Sequence, residues 1–240
     1  MNAPNDTPRT PRRMIGLIGG MSWESTLPYY RHINEVVRRE CGGLHSARLL
    51  LYSVDFASIE QLQRTNDWEG AGVALAQAAR ALQASGAEFI VLCTNTMHRV
   101  ADAIEAATPL PLLHIADPTA EALAALDVQR VGLLGTRFTM EQAFYRERLS
   151  RRGFEVRVPD APARAQVHRI IYEELCQGVL TEDSRRIYRE VIAQLVADGA
   201  QAIVLGCTEI ALLIGPEDAT VPLLDTAWLH AEAAALHSLG

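Results

Sequence analysis

The sequence predicts an α/β protein of two pseudo-twofold-related domains, each a parallel sheet flanked by helices, with a ligand cleft between them. Three observations carry this. Short apolar runs alternate with helical stretches along the chain, the pattern of strands buried on both faces by crossover helices. Three anchor segments recur at a nearly constant offset. Two cysteines take matching places in that repeat.

Met14–Ile18 reads as a strand ending in Gly19-Gly20, and Pro28–Arg39 as a helix, with Ser25 or Thr26 as cap and Pro28 in its first turn. Arg48–Val54 is a strand. Trp68–Ser85 is an alanine-rich helix stopped by Gly86, suited to close packing on the sheet or on a second subunit. Strand Glu88–Leu92, helix Met97–Ala107 and strand Pro111–Ile115 follow. The pattern then restarts with helix Thr119–Leu126, strand Arg130–Leu134, helix Thr139–Arg152 and strand Glu155–Val158. Helices Val167–Gln177 and Thr181–Asp198, strands Ala202–Leu205 and Pro222–Leu224, and helix Thr226–Ser238 complete it.

Gly16–Gly20 matches Gly132–Thr136, Gly86–Leu92 matches Gly199–Leu205, and Pro111–Leu113 matches Pro222–Leu224, at offsets of 111 to 116 residues. This is the signature of a duplicated α/β unit. The expected organisation is a disordered tail over 1–13, a first domain of 14–110 and 222–240, and a second domain of 111–221. Met1–Arg13 has no apolar core of a secretory signal.

The 240 residues are 49% hydrophobic and 21% charged, with net charge −7. That composition excludes a disordered chain, a collagen and a disulfide-stapled miniprotein. The acidic balance argues against nucleic-acid or anionic-membrane partners, which need a positive field. Cys41, Cys93, Cys176 and Cys207 form no CxxC pair, so zinc and thioredoxin chemistry have no support. Free thiols suit a reducing cytoplasm. Gly16–Gly20 lacks the spacing of a dinucleotide fingerprint.

Cys93-Thr94-Asn95-Thr96 and Gly206-Cys207-Thr208-Glu209 each follow the apolar run of a repeat. Each cysteine should therefore end a parallel strand, at the sheet edge where such folds bind ligands. A helix N-terminus there would favour thiolate, and the neighbouring hydroxyls, amide and backbone N–H groups suit a carboxylate. Two thiols facing one carbon from opposite sides fit inversion at an acidic C–H: one thiolate removes the proton and the other thiol delivers one. The scheme needs no metal or pyridoxal cofactor. Cys41 and Cys176 have no counterpart and read as structural. His98 reads as a cap or a surface residue, and His45, His114 and His168 have no metal-ligand spacing.

At these residues the chain resembles the cofactor-independent aspartate/glutamate racemase family. Gly19–Thr26 (GGMSWEST) resembles the N-terminal loop of its broad-specificity amino-acid racemase branch. Cys93–His98 (CTNTMH), Leu133–Glu141 (LLGTRFTME) and Glu173–Cys176 (EELC) strengthen the match. The resemblance implies two domains that exchange their ends, an interdomain active site, a homodimer, and Cys93 and Cys207 as the acid/base pair. It implies that Asn95, Thr96, Thr136 and Thr208 hold the α-carboxylate and ammonium. The Met21-Ser22 loop closes one side, and Glu209 positions Cys207 or its proton. Acidic-substrate relatives carry a lysine in the segment matching Arg164–Arg169. Here Gln166 takes that place in the binding set, with Arg164 or Arg169 as replacements, so a neutral polar amino acid such as homoserine stands beside aspartate and glutamate. The alternatives on the same fold are hydantoin racemisation, maleate isomerisation and arylmalonate decarboxylation. A catalytically silent amino-acid sensor is the alternative outside enzymes.

Overall fold

A computed structural model describes residues 11–240. In chain order the elements are β1 (Ile15–Gly19), α1 (Trp23–Cys41), β2 (Leu49–Ser53), α2 (Phe56–Arg64), α3 (Trp68–Ala84), β3 (Phe89–Leu92), α4 (Ala101–Ala107), β4 (Leu112–Leu113), α5 (Ala116–Ala125) and β5 (Arg130–Gly135). Then come α6 (Arg137–Glu141), α7 (Ala143–Ser150), β6 (Glu155–Arg157), α8 (Ala161–Glu173), α9 (Glu182–Ala197), β7 (Ala202–Gly206), α10 (Ile210–Leu213), β8 (Leu223–Asp225) and α11 (Thr226–Leu239). Turns of 3₁₀ helix cover Thr96–Val100, Leu175–Gln177 and Pro216–Asp218.

The strands form two parallel four-stranded sheets, β2-β1-β3-β4 and β6-β5-β7-β8. The orders are identical when β5–β8 replace β1–β4, so the duplication is real at the level of topology. It extends to detail. The helix before each third strand ends on a glycine in the left-handed region, Gly86 at φ +96° and Gly199 at φ +97°. After each, an N–H reaches back to the helix, Ala87 to Leu82 O at 3.0 Å and Ala200 to Leu195 O at 2.9 Å. Ile90 N–H donates to Pro111 O and Ile203 N–H to Pro222 O, both at 2.9 Å.

Central strands β1, β3 and β7 are buried throughout, as their unbroken apolar runs require, whereas edge strand β2 exposes Leu51 and Tyr52. Each sheet has one core per face. The first sheet packs α1 and α11 on one side and α2, α3 and α4 on the other. The second packs α8, α9 and α10 against one face and α5 and α7 against the other. Helix α11 thus follows the second sheet in sequence but covers the first, and α5 does the reverse.

This exchange corrects the expected domain boundaries. Leu112 and Leu113 pair with Ile90 and Val91 in the first sheet, and Leu223 and Leu224 pair with Ile203 and Val204 in the second. The chain crosses between lobes after β4 and after β8, not before them, because each third strand needs a fourth to cover its open edge. The expected tail lies outside the described residues up to residue 10. Beyond it, the Arg12 and Arg13 N–H groups donate to Ser238 O at 3.0 and 3.1 Å. Helix α1 begins five residues before the expected start, with Ser22 at its N-cap and Pro28 inside it. Thr26 serves the entry loop instead, accepting from Gly20 N–H at 2.9 Å and donating to Ser22 O at 2.7 Å. Helix α2 has no counterpart among the expected elements.

Gly16 and Gly132 sit at equivalent points of β1 and β5, where a helix or loop crosses the strand. A Cβ on Gly132 would lie 2.6 Å from Ile203 Cδ1, the movable end of a side chain. A Cβ on Gly16 would lie 2.8 Å from Ala87 Cβ and 3.2 Å from Phe89 O, which cannot rotate away. Gly16→Ala and Gly132→Ala are both expected to destabilise, by about 1–3 kcal/mol, with Gly16→Ala the costlier. Thermal unfolding of the two variants checks the order.

Candidate active site

The carboxyl edges of the two sheets face each other, and the loops leaving β1, β3, β5 and β7 meet between the lobes. The cavity enclosed there is lined by Met21, Asn95, Thr96 and Thr136 and by Cys207, Thr208 and Glu209, all expected from the sequence. Thr94, Phe56, Gln63, Ile171, Tyr172 and Cys176 complete the wall.

Glu209 organises one side. Its Oε1 accepts from Ser22 N–H at 3.1 Å and Ser22 Oγ at 2.9 Å, which ties the entry loop of the first lobe to the second. Its Oε2 accepts from Cys207 Sγ and Thr208 Oγ1, both at 2.9 Å. Across the cleft, Thr96 Oγ1 and Thr136 Oγ1 are 2.8 Å apart. Asn95 Nδ2 donates to Thr226 Oγ1 at 2.9 Å, and Thr226 Oγ1 donates to Leu205 O at 2.8 Å. The Asn95 Oδ1 atom is buried without a partner, an acceptor suited to an ammonium group. At the far end Tyr172 Oη donates to Gln63 Oε1 at 2.7 Å, Gln63 Nε2 lies 2.9 Å from Met97 Sδ, and Phe56 stacks on Tyr172.

The cavity volume is about 20 Å³, room for a single water and too little for an amino acid. The bonds from Ser22 to Glu209, Thr96 to Thr136 and Tyr172 to Gln63 all cross between lobes. A substrate can enter only when these part, so the structure is the closed form of a cleft that must open.

Several expectations need correction. Gln166 is exposed on α8 and does not line the cavity; the face of α8 that turns inward carries Val167, Ile170 and Ile171. Arg164 pairs with Glu141 and Pro159 O, and Arg169 with Glu173 and Glu174. Among the described residues no arginine lines the cavity, and the chain contains no lysine. Cys93 ends β3 as expected, but its fully buried Sγ lies 3.9 Å from Val91 O and is not part of the cavity wall. Cys176, read from sequence as structural, is part of it. His98 is neither a cap nor a surface group: it is buried, with Nδ1 2.7 Å from Thr94 O and Nε2 accepting from Ile115 N–H at 3.2 Å.

The thiols also differ from the thiolates expected at helix N-termini. Burial, then the Glu209 carboxylate, push the Cys207 thiol well above its ordinary value, and burial alone raises Cys93. The reason is local. Cys207 is followed by a helix of only four residues and Cys93 by a 3₁₀ turn, which offer little dipole to offset desolvation.

Sequence reasoning missed Gln63 and Tyr172. Both sit on helical faces marked by buried apolar neighbours, Ile59 four residues before Gln63 and Ile171 beside Tyr172, so the periodicity of α2 and α8 was the available signal.

The sequence model described as Asp/Glu/Hydantoin racemase matches residues 18–234. The chain is 24% identical over 216 residues to the broad specificity amino-acid racemase RacX of Bacillus subtilis, covering 89% of this chain and 92% of that one. A candidate Asp/Glu racemase from Yersinia pestis superposes with a TM-score of 0.88 at 58% identity, over 95% of this chain and 100% of the other. An aspartate racemase homologue from Pyrococcus horikoshii superposes with a TM-score of 0.80 at 35% identity, over 94% and 99%. With matched topology, a shared interlobe site and a family match that spans both lobes, the chain belongs to the Asp/Glu/Hydantoin racemase family.

Proposed function

We propose that this protein is a cofactor-independent amino-acid racemase that inverts the α-carbon of small, neutral, polar amino acids with Cys93 and Cys207 as its two bases. The observation that carries the reading is Cys207, a thiol bonded to a buried carboxylate in a cavity whose remaining polar groups match an amino acid's head. Asn95 Oδ1 and Glu209 offer acceptors to the ammonium. The Thr96, Thr136 and Thr208 hydroxyls offer donors to the carboxylate, on which negative charge develops as the α-proton leaves. The substrate's own ammonium, arriving beside Cys207 and Glu209, favours the thiolate that burial disfavours. Cys93 must present its sulfur from the other lobe, so the reading includes a turn of Cys93 Sγ from Val91 O towards the cleft when substrate enters.

The choice of a neutral side chain rests on charge. Among the described residues, Glu209 is the one acidic side chain in the wall, and no arginine or lysine lines it. A substrate carboxylate at the Gln63–Tyr172 end would be desolvated without a counter-ion, at a cost of several kcal/mol. The Gln63 amide and Tyr172 hydroxyl can instead bond a hydroxyl or amide. Assembly as a homodimer and a cytoplasmic location, in keeping with free thiols, belong to the same proposal.

The test is a panel of L-homoserine, L-serine, L-methionine, L-glutamate and L-aspartate in D₂O, followed by α-deuterium incorporation and chiral chromatography. The expected result is D-enantiomer with α-deuterium from the neutral members, at a kcat/KM at least about 100-fold above the acidic ones. Preference for glutamate or aspartate would overturn the substrate assignment. Absence of both exchange and inversion throughout would overturn the racemase reading.

A further inference from the structure

We propose that a second cavity, between α1, α10 and the start of α11, binds a short primary alkylamine in its ammonium form and that its occupant holds the two lobes closed. The effect on turnover rests on the racemase reading; the binding does not.

This cavity is larger than the one at Cys207, with a volume of about 160 Å³, room for a molecule of about six heavy atoms. Pro28 and His32 of α1 wall it from the first lobe, Thr208 and Leu212 from the second, and Asp225 and Trp228 from the junction of β8 and α11. Pro28, His32 and Trp228 also line a groove on the outer face of α1, so the cavity is reached from the surface without opening the cleft.

Two polar side chains point to the occupant. His32 is only 4% exposed, yet neither of its ring nitrogens has a hydrogen-bond partner. Glu35 Oε2 stands 3.9 Å from Nδ1, beyond bonding reach. The ring is held in place by stacking on Trp228, with centroids 3.2 Å apart, so it cannot turn away to find water. A buried imidazole left this way forfeits its hydrogen bonds unless a ligand supplies them. Asp225 is the second group. Its Oδ1 accepts from the Ala227 and Trp228 N–H groups at 2.9 and 3.1 Å as the N-cap of α11. Among the described residues no side chain donates to it and no arginine lines the cavity. Burial accordingly raises its carboxyl above the ordinary carboxylate range.

A short alkylammonium supplies what both groups lack. Its charge and one N–H go to Asp225, and a second N–H goes to the imidazole, which burial keeps neutral. The alkyl chain packs on Pro28, Leu212 and Trp228. A carboxylate would meet the Asp225 charge with no cation to offset it, which excludes fatty acids and disfavours amino acids.

The same walls carry the effect to the active site. Thr208 lines both cavities, and its hydroxyl donates to Glu209 Oε2 at 2.9 Å. Asp225 is followed by Thr226, which accepts from Asn95 at 2.9 Å. A ligand that touches both lobes favours the arrangement in which its walls come together, the closed form. It keeps the cleft shut over bound substrate, and substrate in turn tightens the amine.

The experiment is a calorimetric titration of n-butylammonium chloride into wild type, Asp225→Asn and His32→Phe, with 1-butanol and butyrate as controls. Asparagine keeps the helix cap and phenylalanine keeps a ring against Trp228; thermal unfolding verifies that both variants fold. The expected result is one site in wild type with a Kd of about 1 mM or lower. Binding weakens at least about tenfold in Asp225→Asn and about three-fold in His32→Phe, and neither control binds. With the panel amino acid turned over fastest, butylammonium lowers kcat and KM together in wild type and has no such effect in Asp225→Asn. No saturable binding to wild type, equal binding by Asp225→Asn, or equal binding of butanol would reduce the site to a water-filled cavity and overturn the proposal. Competitive inhibition would put the amine in the active site and overturn it as well. Absence of any racemisation would overturn the proposed function, while the calorimetry still decides the amine site.

Discussion

Cys207→Ala is expected to abolish racemisation, with a loss of at least about 10³-fold in kcat/KM, the upper part of the range for removing a general acid or base. The carboxylate beside it, Glu209, is held by four donors at 2.9 to 3.1 Å and is committed to the entry loop. Cys93→Ala is expected to give an equal loss of inversion with a different residue of activity. With Cys207 intact, one enantiomer still presents its α-proton to a thiolate, so deuterium should wash into that enantiomer without any D-to-L or L-to-D conversion. The buried position of Cys93 gives this prediction its force. As a mere core residue its truncation would lower stability and leave kcat intact; as a base it must remove inversion while the folded protein persists. Chiral product analysis beside thermal unfolding separates the two, and unimpaired inversion in either variant excludes the two-base mechanism.

The parts legible in the sequence were those set by periodicity and repetition. Apolar runs buried on both faces have no polar alternation to blur them, so β1, β3, β5 and β7 stood out. The glycines at 86 and 199 marked both helix ends because the same left-handed turn is needed twice. The loops that line the cavity followed, since each leaves the carboxyl end of one of these strands. What was not legible depended on the third dimension. The exchange of α5 and α11 cannot be read from local pattern, because β4 and β8 are too short to announce which sheet they join. Gln166 was placed by position in a motif, yet a helix turns 100° per residue, and five residues separate it from the inward-facing Ile171. The raised thiols needed the burial and the Glu209 contact that only the folded loops create. Cys176 had no repeat partner, and its place in the cavity wall comes from the 3₁₀ turn after α8.

Acidification is expected to destabilise the protein sharply between about pH 6.5 and pH 4, through three histidines clustered at the crossovers between lobes. His98, His114 and His230 are all buried and in ring contact, with centroids of 4.3 Å for the first pair and 6.0 Å for His98 and His230. Their partners fix neutral tautomers. His230 Nε2 donates to Leu113 O at 2.8 Å and its Nδ1 accepts from Tyr29 Oη at 2.9 Å. His98 accepts from Ile115 N–H and His114 Nδ1 accepts from Ala116 N–H, both at 3.2 Å. The three rings thus hold residues 113–116, where the chain passes from the first sheet to the second, and through Thr94 O they hold the loop that carries Cys93. Desolvation pulls His230 down to about 4 and His114 down to about 3, and lowers His98 well below the ordinary 6.5. A histidine depressed in the folded state takes up its proton more readily when unfolded. Its neutral form therefore supports the fold fully above about pH 6.5, and that support drains away as pH falls towards the folded value. His230 alone withdraws about 3 kcal/mol by pH 4, and the loss should appear as one proton per histidine in the slope of stability against pH. His230→Gln, whose amide can donate to Leu113 O and accept from Tyr29, should stay folded at neutral pH and flatten that slope by one proton. Denaturant unfolding at several pH values reads this directly, and a slope unchanged in the variant would show that the buried imidazoles are not what acid attacks. Because the same rings hold the Cys93 loop, inversion should fail before global unfolding as pH drops, with racemisation lost while the far-ultraviolet dichroism is still native.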